Sequence, residues 1–165
     1  MFQKIFSMKS INLPQLATAI VVCLSAGLIG SVFTSTSLAT WYGIIEKPVL
    51  NPPSWIFGPV WTILYIMMGI SVYLVWRLGL EKKGVRFALK IFGLQLLHNV
   101  LWSLLFFGMQ NPALALVDIV LLWFTILWSI QLFYRLSRPA SYLLIPYISW
   151  VSFAIYLNYS IWILN

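Results

Sequence analysis

The sequence predicts an all-α protein: an integral membrane bundle of five transmembrane helices with a structured loop between the first two. Three observations carry that prediction. Of the 165 residues, 62% are hydrophobic and only 8% are charged, whereas a soluble domain carries about a quarter charged residues. So few charges cannot cover a water-facing surface. The chain has a mean hydropathy of +0.95, and five of its apolar runs reach the roughly 20 residues needed to cross a bilayer. Finally, Lys and Arg are divided very unevenly among the segments between those runs. The spans should be helices, because backbone groups left unpaired in lipid are costly, and the runs lack the alternation of barrel strands. The length suits one domain over residues 1–165.

The first span is expected near Leu13–Phe33. Its start resembles a secretory signal, with Lys4 and Lys9 ahead of the apolar run and Ser37-Leu38-Ala39 after it as a cleavage-like site. The run exceeds the usual signal core of roughly 7–15 residues, which favours a retained helix. Cys23, the one cysteine, lies within it, so no disulfide framework can form in one chain. Ala19, Cys23, Gly27 and Ser31 form a small-residue stripe at four-residue spacing. Such a stripe allows close helix approach, either inside the bundle or at a homodimer seam.

The segment that follows reads "WYGIIEKPVLNPPSWIFGPVW", Trp41 to Trp61. Pro48, Pro52 and Pro53 fix their own φ and restrict the residues before them, so the segment is stiff and rich in turns. Trp41, Tyr42 and Trp55 are expected to pack on something apolar, as a lid would. The other reading is a belt of interfacial aromatics, which would not need a proline frame.

The second span, near Ile56–Arg77, places Trp61 and Tyr65 one turn apart. The third, near Arg86–Phe107, brings Gln95, Asn99 and Trp102 to one face through their i, i+4, i+7 spacing. His98 points about 100° away from Asn99. Gly84 and Ala88, at the start of this span, offer a second, shorter homodimer seam. The fourth span, near Pro112–Tyr134, carries Asp118 roughly 9 Å from its start at 1.5 Å per residue. The fifth, near Ser141–Ile163, holds Trp150 near its middle and Ala154 and Asn158 beyond.

Lys4, Lys9, Arg77, Lys82, Lys83, Arg86, Lys90, Arg135 and Arg138 fall on the N-terminal side of the spans, and only Lys47 on the other. The positive-inside rule then places the N-terminus in the cytoplasm, with the first loop and the C-terminus on the opposite side. That distribution explains the net charge of +7 as membrane orientation, not nucleic-acid binding. With these directions Trp61, Tyr65, Asn99, Trp102, Asp118, Ala154 and Asn158 all fall in the half of the bundle beneath the loop. The loop is therefore expected to close a pocket there. The alternative for the polar groups is interhelical glue at about 0.6 kcal/mol each. Asp118 is either protonated, or paired with His98 or with a backbone donor of the loop.

A pocket of indole and phenyl rings with a few amides suits a flat, mostly apolar aromatic molecule. No nucleotide motif, metal-ligand cluster or nucleophile–base pair is visible. Glu46, Glu81 and Asp118 are the only carboxylates, so acid–base chemistry has few players. A proton-coupled efflux carrier would have only Asp118 and His98 within the membrane.

Three ordered stretches resemble one family. "WYGIIEKPVLNPPSWIFGPVWTILY" looks like the loop and second-helix signature of the TspO/MBR proteins, the tryptophan-rich sensory and translocator proteins. "LQLLHNVLWSLLFFG" is similar to their third-helix pattern and "YLLIPYISWVSFAIYLN" to their fifth. The resemblance implies a five-helix bundle, often a homodimer, that binds porphyrins and synthetic aromatic ligands beneath the first loop and requires no cofactor. By motif position, Trp61 and Trp150 match the tryptophans set against porphyrin. Asn99, Trp102 and Ala154 match pocket positions, and Trp41, Pro52 and Pro53 match the lid. The implied ligand is protoporphyrin IX or a heme-like tetrapyrrole, bound for transport, sensing or disposal. A light-dependent porphyrin-degrading enzyme using Trp61 and Trp150 is the alternative. Animal members carry a sterol motif with a basic residue at the end of the fifth helix. Here that end reads "YLNYSIWILN", without Lys or Arg, which favours a bacterial-type tetrapyrrole role.

Overall fold

The computed structural model describes residues 11–165; Lys4 and Lys9 lie outside them. All regular structure among the described residues is helical. Five helical stretches are long and apolar enough to cross a membrane: Leu13–Leu38, Ser54–Trp76, Val85–Gly108, Pro112–Leu136 and Arg138–Leu164. The protein is thus an integral, multi-pass membrane protein.

Helix α1 spans Leu13–Leu38, five residues past its expected end at Phe33. In the polar run at that end the hydroxyls bond back to the helix's own carbonyls: Thr34 to Gly30, Ser35 to Val32 and Thr36 to Phe33. Such bonds spare a hydroxyl in lipid the cost of an unpaired donor. Asn12 caps the start, its side chain accepting from the Gln15 N–H, with Pro14 in the first turn. A short helix α2, Trp41–Ile44, follows, and then the proline-framed loop.

Helix α3 covers Phe57–Trp76 and α4 covers Val85–Ser103. Gly84 joins them in the left-handed region, at φ +89°, where a Cβ would be strained. Helix α4 runs on into a π-helical turn, Leu104–Gly108. Helix α5, Pro112–Leu136, starts from an Asn111 cap with proline at its first position, a favoured pairing.

The fifth span departs from the continuous Ser141–Ile163 helix the sequence suggests. A short helix α6, Arg138–Tyr142, ends in a turn at Leu143 and Leu144, and α7 begins at Ile145. Pro146 is the cause. It has no N–H for the preceding turn and its ring opposes continuation, but it is well placed at a helix start. Ser71 on α3 donates to the Ala140 carbonyl at 2.7 Å and anchors α6.

The helices alternate in direction. One end of the bundle, here the lid end, gathers the end of α1, α2, the start of α3, the π turn, the start of α5 and the end of α7. Helix α1 packs on α3 and α4, α4 on α5, and α5 on α7. The buried core lies among α3, α4, α5 and α7, around Met68, Phe92, Ile119, Leu122, Phe133, Tyr147 and Val151.

The small-residue stripe of α1 is largely turned inward. Ala19 and Cys23 are buried, and a Cβ on Gly27 would stand 2.4 Å from the Tyr65 ring. Ala88 of the second stripe is buried as well. Lipid gives helices no hydrophobic drive to associate, so close backbone approach of this kind supplies the packing. At Gly69 the approach is tightest to backbone, since a Cβ would lie 2.6 Å from the Ile20 Cα. Gly69→Ala is expected to destabilise the bundle by about 1–3 kcal/mol, read as a lowered melting temperature in detergent. Gly93→Ala, where a Cβ meets nothing within 4 Å, should not lower it.

Candidate functional site

A hollow walled by aromatic side chains lies at the lid end. Its volume is about 260 Å³. Helix α3 contributes Trp61 and Tyr65, α4 contributes Asn99 and Trp102, and α7 contributes Trp150 and Ala154. The depth argument from the sequence groups five of these residues and the motif match adds Trp150; the structure places all six around one cavity.

The floor is a chain of hydrogen bonds across three helices. The Tyr65 hydroxyl donates to Asn99 Oδ1. Asn99 Nδ2 lies 3.0 Å from the Tyr147 hydroxyl and donates to it. That hydroxyl in turn donates to Gln95 Oε1 at 2.8 Å. Asn99 is therefore both cavity wall and interhelical tie, whereas Gln95 only ties. Trp61 stacks on Tyr65 with ring centroids 5.6 Å apart and meets Tyr147 edge-on at 6.2 Å. Trp102 is held by its indole N–H, which donates to Asn158 Oδ1 at 3.0 Å. Asn158 Nδ2 donates in turn to the Pro112 carbonyl of α5 at 2.7 Å. Phe57 sets the edge of Trp150, 6.0 Å away.

The roof is α2. Tyr42 is buried and lines the cavity, with its ring 5.5 Å from that of Phe107. Its hydroxyl donates to Asn51 Oδ1 at 2.9 Å, and Asn51 Nδ2 donates to the Pro52 carbonyl at 3.1 Å. Lys47 Nζ sits 4.9 Å above the Tyr42 ring centre. A reciprocal pair fastens the roof to α7: the Glu46 N–H donates to Asn165 Oδ1 at 3.0 Å, and Asn165 Nδ2 donates to the Glu46 carbonyl at 3.1 Å.

Four residues expected at the ligand do not line the cavity. Trp41 packs behind it, edge-on to Phe106 at 5.6 Å. Pro52 and Pro53 lie outside the lining; the Pro52 carbonyl accepts from Asn51 Nδ2, beside the Pro48–Asn51 turn that holds Tyr42. Asp118 lies on a different face, paired with His98, whose Nδ1 is 2.6 Å from Asp118 Oδ1. Depth along a helix places Asp118 at the right height but not at the right angle. Helix α5 contributes nothing to the lining, because it packs behind α4, on the His98 side. Trp55, expected to pack, is 73% exposed.

Other lining residues lay beyond the sequence argument. Phe106 and Phe107 reach the cavity together because the π turn widens the end of α4, with their centroids 4.8 Å apart. No residue pattern announces such a turn. Gly27, Ser31 and Thr34 carry the α1 wall; their small size was the available signal. On the α1–α3 side the wall is incomplete, since the lining residues Leu28, Ser31, Gly58 and Thr62 are also exposed on the outer surface.

These features define a class: a polytopic membrane protein whose helices wall an aromatic cavity roofed by an ordered loop. A model of the TspO/MBR family matches residues 19–163. The chain belongs to the TspO/MBR family, as the three sequence stretches suggested. It is 49% identical over 150 residues to the tryptophan-rich protein TspO of Chlorobaculum tepidum, covering 91% of this chain and 95% of that one. It is 44% identical over 154 residues to the protein of the same name from Archaeoglobus fulgidus, covering 93% and 99%. With the human translocator protein it shares 38% identity over 136 residues, 81% of this chain and 80% of that one.

Two expectations follow for the roof. Asn165→Ala removes both bonds to Glu46, so amide hydrogen exchange over residues 41–47 should rise while exchange in α5 stays unchanged. Burial raises the Tyr42 phenol above its ordinary 10.0. A raised folded value means the stabilisation is full below that ordinary value and is lost as pH climbs through the folded one. The roof should therefore hold at neutral pH and loosen only in strong alkali. A tyrosinate absorbance titration against Tyr42→Phe reads this directly.

Proposed function

We propose that this protein binds a tetrapyrrole of the protoporphyrin IX type in the cavity beneath α2, for its transport, sensing or disposal. The carrying observation is the grouping of Trp61, Trp102, Trp150, Phe57, Phe106 and Phe107 around one hollow whose floor is the Asn99 amide. Ring faces at several angles favour a flat aromatic partner through offset and edge-on contacts. Because the lining holds no charged side chain, polar substituents of the ligand stay outside it. At about 260 Å³, the cavity is slightly below the ~300–1,000 Å³ usual for ligand sites. A macrocycle therefore seats edge-first, with the rest in the opening between α1 and α3. Membership of the TspO/MBR family supports the same reading.

Orientation belongs to this proposal. Arg77, Lys82, Lys83, Arg86, Arg135 and Arg138 flank the connections opposite the lid end, and among the described residues only Lys47 lies at the lid end. By the positive-inside rule the roof then faces away from the cytoplasm. The Asp118–His98 pair lies off the cavity, so no observation favours direct coupling of a proton to the ligand.

In vesicles or detergent, protoporphyrin IX should quench the tryptophan fluorescence saturably. Trp150→Ala or Asn99→Leu should weaken binding about ten-fold, roughly 1.4 kcal/mol. Unchanged affinity in both variants would remove the cavity as the binding site.

A further inference from the structure

The cavity is sealed on most sides. Asn99, Phe106, Ala154, Leu157 and Ile161, from α4, the π turn and α7, are buried, as is Tyr42 in the roof. The α1–α3 side differs. Leu28 lines the cavity and is 68% exposed. A Cβ built on Gly58 meets nothing within 4 Å, and Ser31 and Thr62 are exposed too.

The divergence has a visible cause. Toward the end opposite the lid, α1 and α3 touch closely, at Ile20–Gly69 and Gly27–Tyr65. Beyond Gly27, α1 leaves α3 for α4. Gly30 sits against Ser103, and Phe33 against Gly108 at the π turn. Helix α3 instead leans toward α7, with Trp61 on Tyr147 and Phe57 on Trp150. A slot therefore opens from Tyr65 up to the start of α3.

We propose that this slot is the entrance to the cavity, and that it admits flat amphiphiles dissolved in the bilayer rather than in water. Its rim belongs to two membrane-spanning stretches, so it faces lipid. The rim hydroxyls are already used within their own helices: Ser31 donates to the Leu28 carbonyl at 2.7 Å and Thr62 to that of Gly58 at 2.9 Å. The slot thus presents methyl and methylene surface without a charged group. Charged substituents are excluded by the cost of burying them, so an amphiphile passes ring-first with its polar end trailing toward the headgroups. The water-side route is closed by Tyr42 and the Asn165 clamp. This entrance rests on reading the cavity as a ligand site, and it adds the phase from which that ligand comes.

The test uses full-length protein in phosphatidylcholine vesicles with Cys23→Ala as background. Ala154→Cys places one thiol on the cavity wall, and N-phenylmaleimide, a flat neutral reagent that partitions into lipid, labels it. Narrowing the slot with Gly58→Leu plus Thr62→Leu should slow labelling about ten-fold, whereas loosening the roof with Asn165→Ala should leave the rate unchanged. Gly58→Leu alone gives the same direction if the double variant does not fold. Labelling that ignores the narrowing, or follows the roof, or never occurs, overturns the proposal. Saturable porphyrin quenching with labelling indifferent to the slot would defeat the entrance alone. Slot-dependent labelling without quenching would defeat the tetrapyrrole reading alone.

Discussion

The Tyr65–Asn99–Tyr147–Gln95 chain is the constraint around which the lid half of the bundle is arranged. Helices in lipid gain nothing by hiding apolar faces from one another, so packing and polar contacts must hold them. Here one amide on α4 joins α3 to α7, and the side chains it joins are the ones that set Trp61 against the cavity. The Trp102–Asn158–Pro112 contacts repeat this nearer the lid and bring in α5. The polar residues are glue and cavity wall at once, because fixing the helices fixes the angles of the rings.

That dual role bears on what the sequence revealed. Span number, span type and the depth of each polar residue were legible, because a bilayer imposes length and apolarity on every span. Trp61, Asn99, Trp102 and Ala154 were picked out by depth and by motif alike, Tyr65 by depth alone and Trp150 by motif. Asp118 satisfied the same depth test and still lies elsewhere, since depth says nothing about which neighbour a helix face meets. The one angular clue was His98, set about 100° from Asn99, and His98 is the partner of Asp118. The π turn and the break before Pro146 were missed for a related reason. Both are local departures from helical spacing, and residue counting assumes that spacing.

The first loop was expected to act as a single lid, but its parts divide the work. Tyr42 roofs the cavity, Trp41 backs Phe106, and the prolines shape the turn at Asn51 that receives the Tyr42 hydroxyl. Trp55 faces outward. Of the three aromatics expected to pack, Trp41 and Tyr42 do so and Trp55 does not.

Asn165 meets the backbone of Glu46 as a neighbouring β-strand would, through a donor and an acceptor side by side. The fastening therefore depends on the reach of one side chain close to where α7 stops. A purification tag or fluorescent protein fused directly behind Asn165 would tug at the cavity's cover. The choice of fusion site thus becomes part of any measurement made on this cavity.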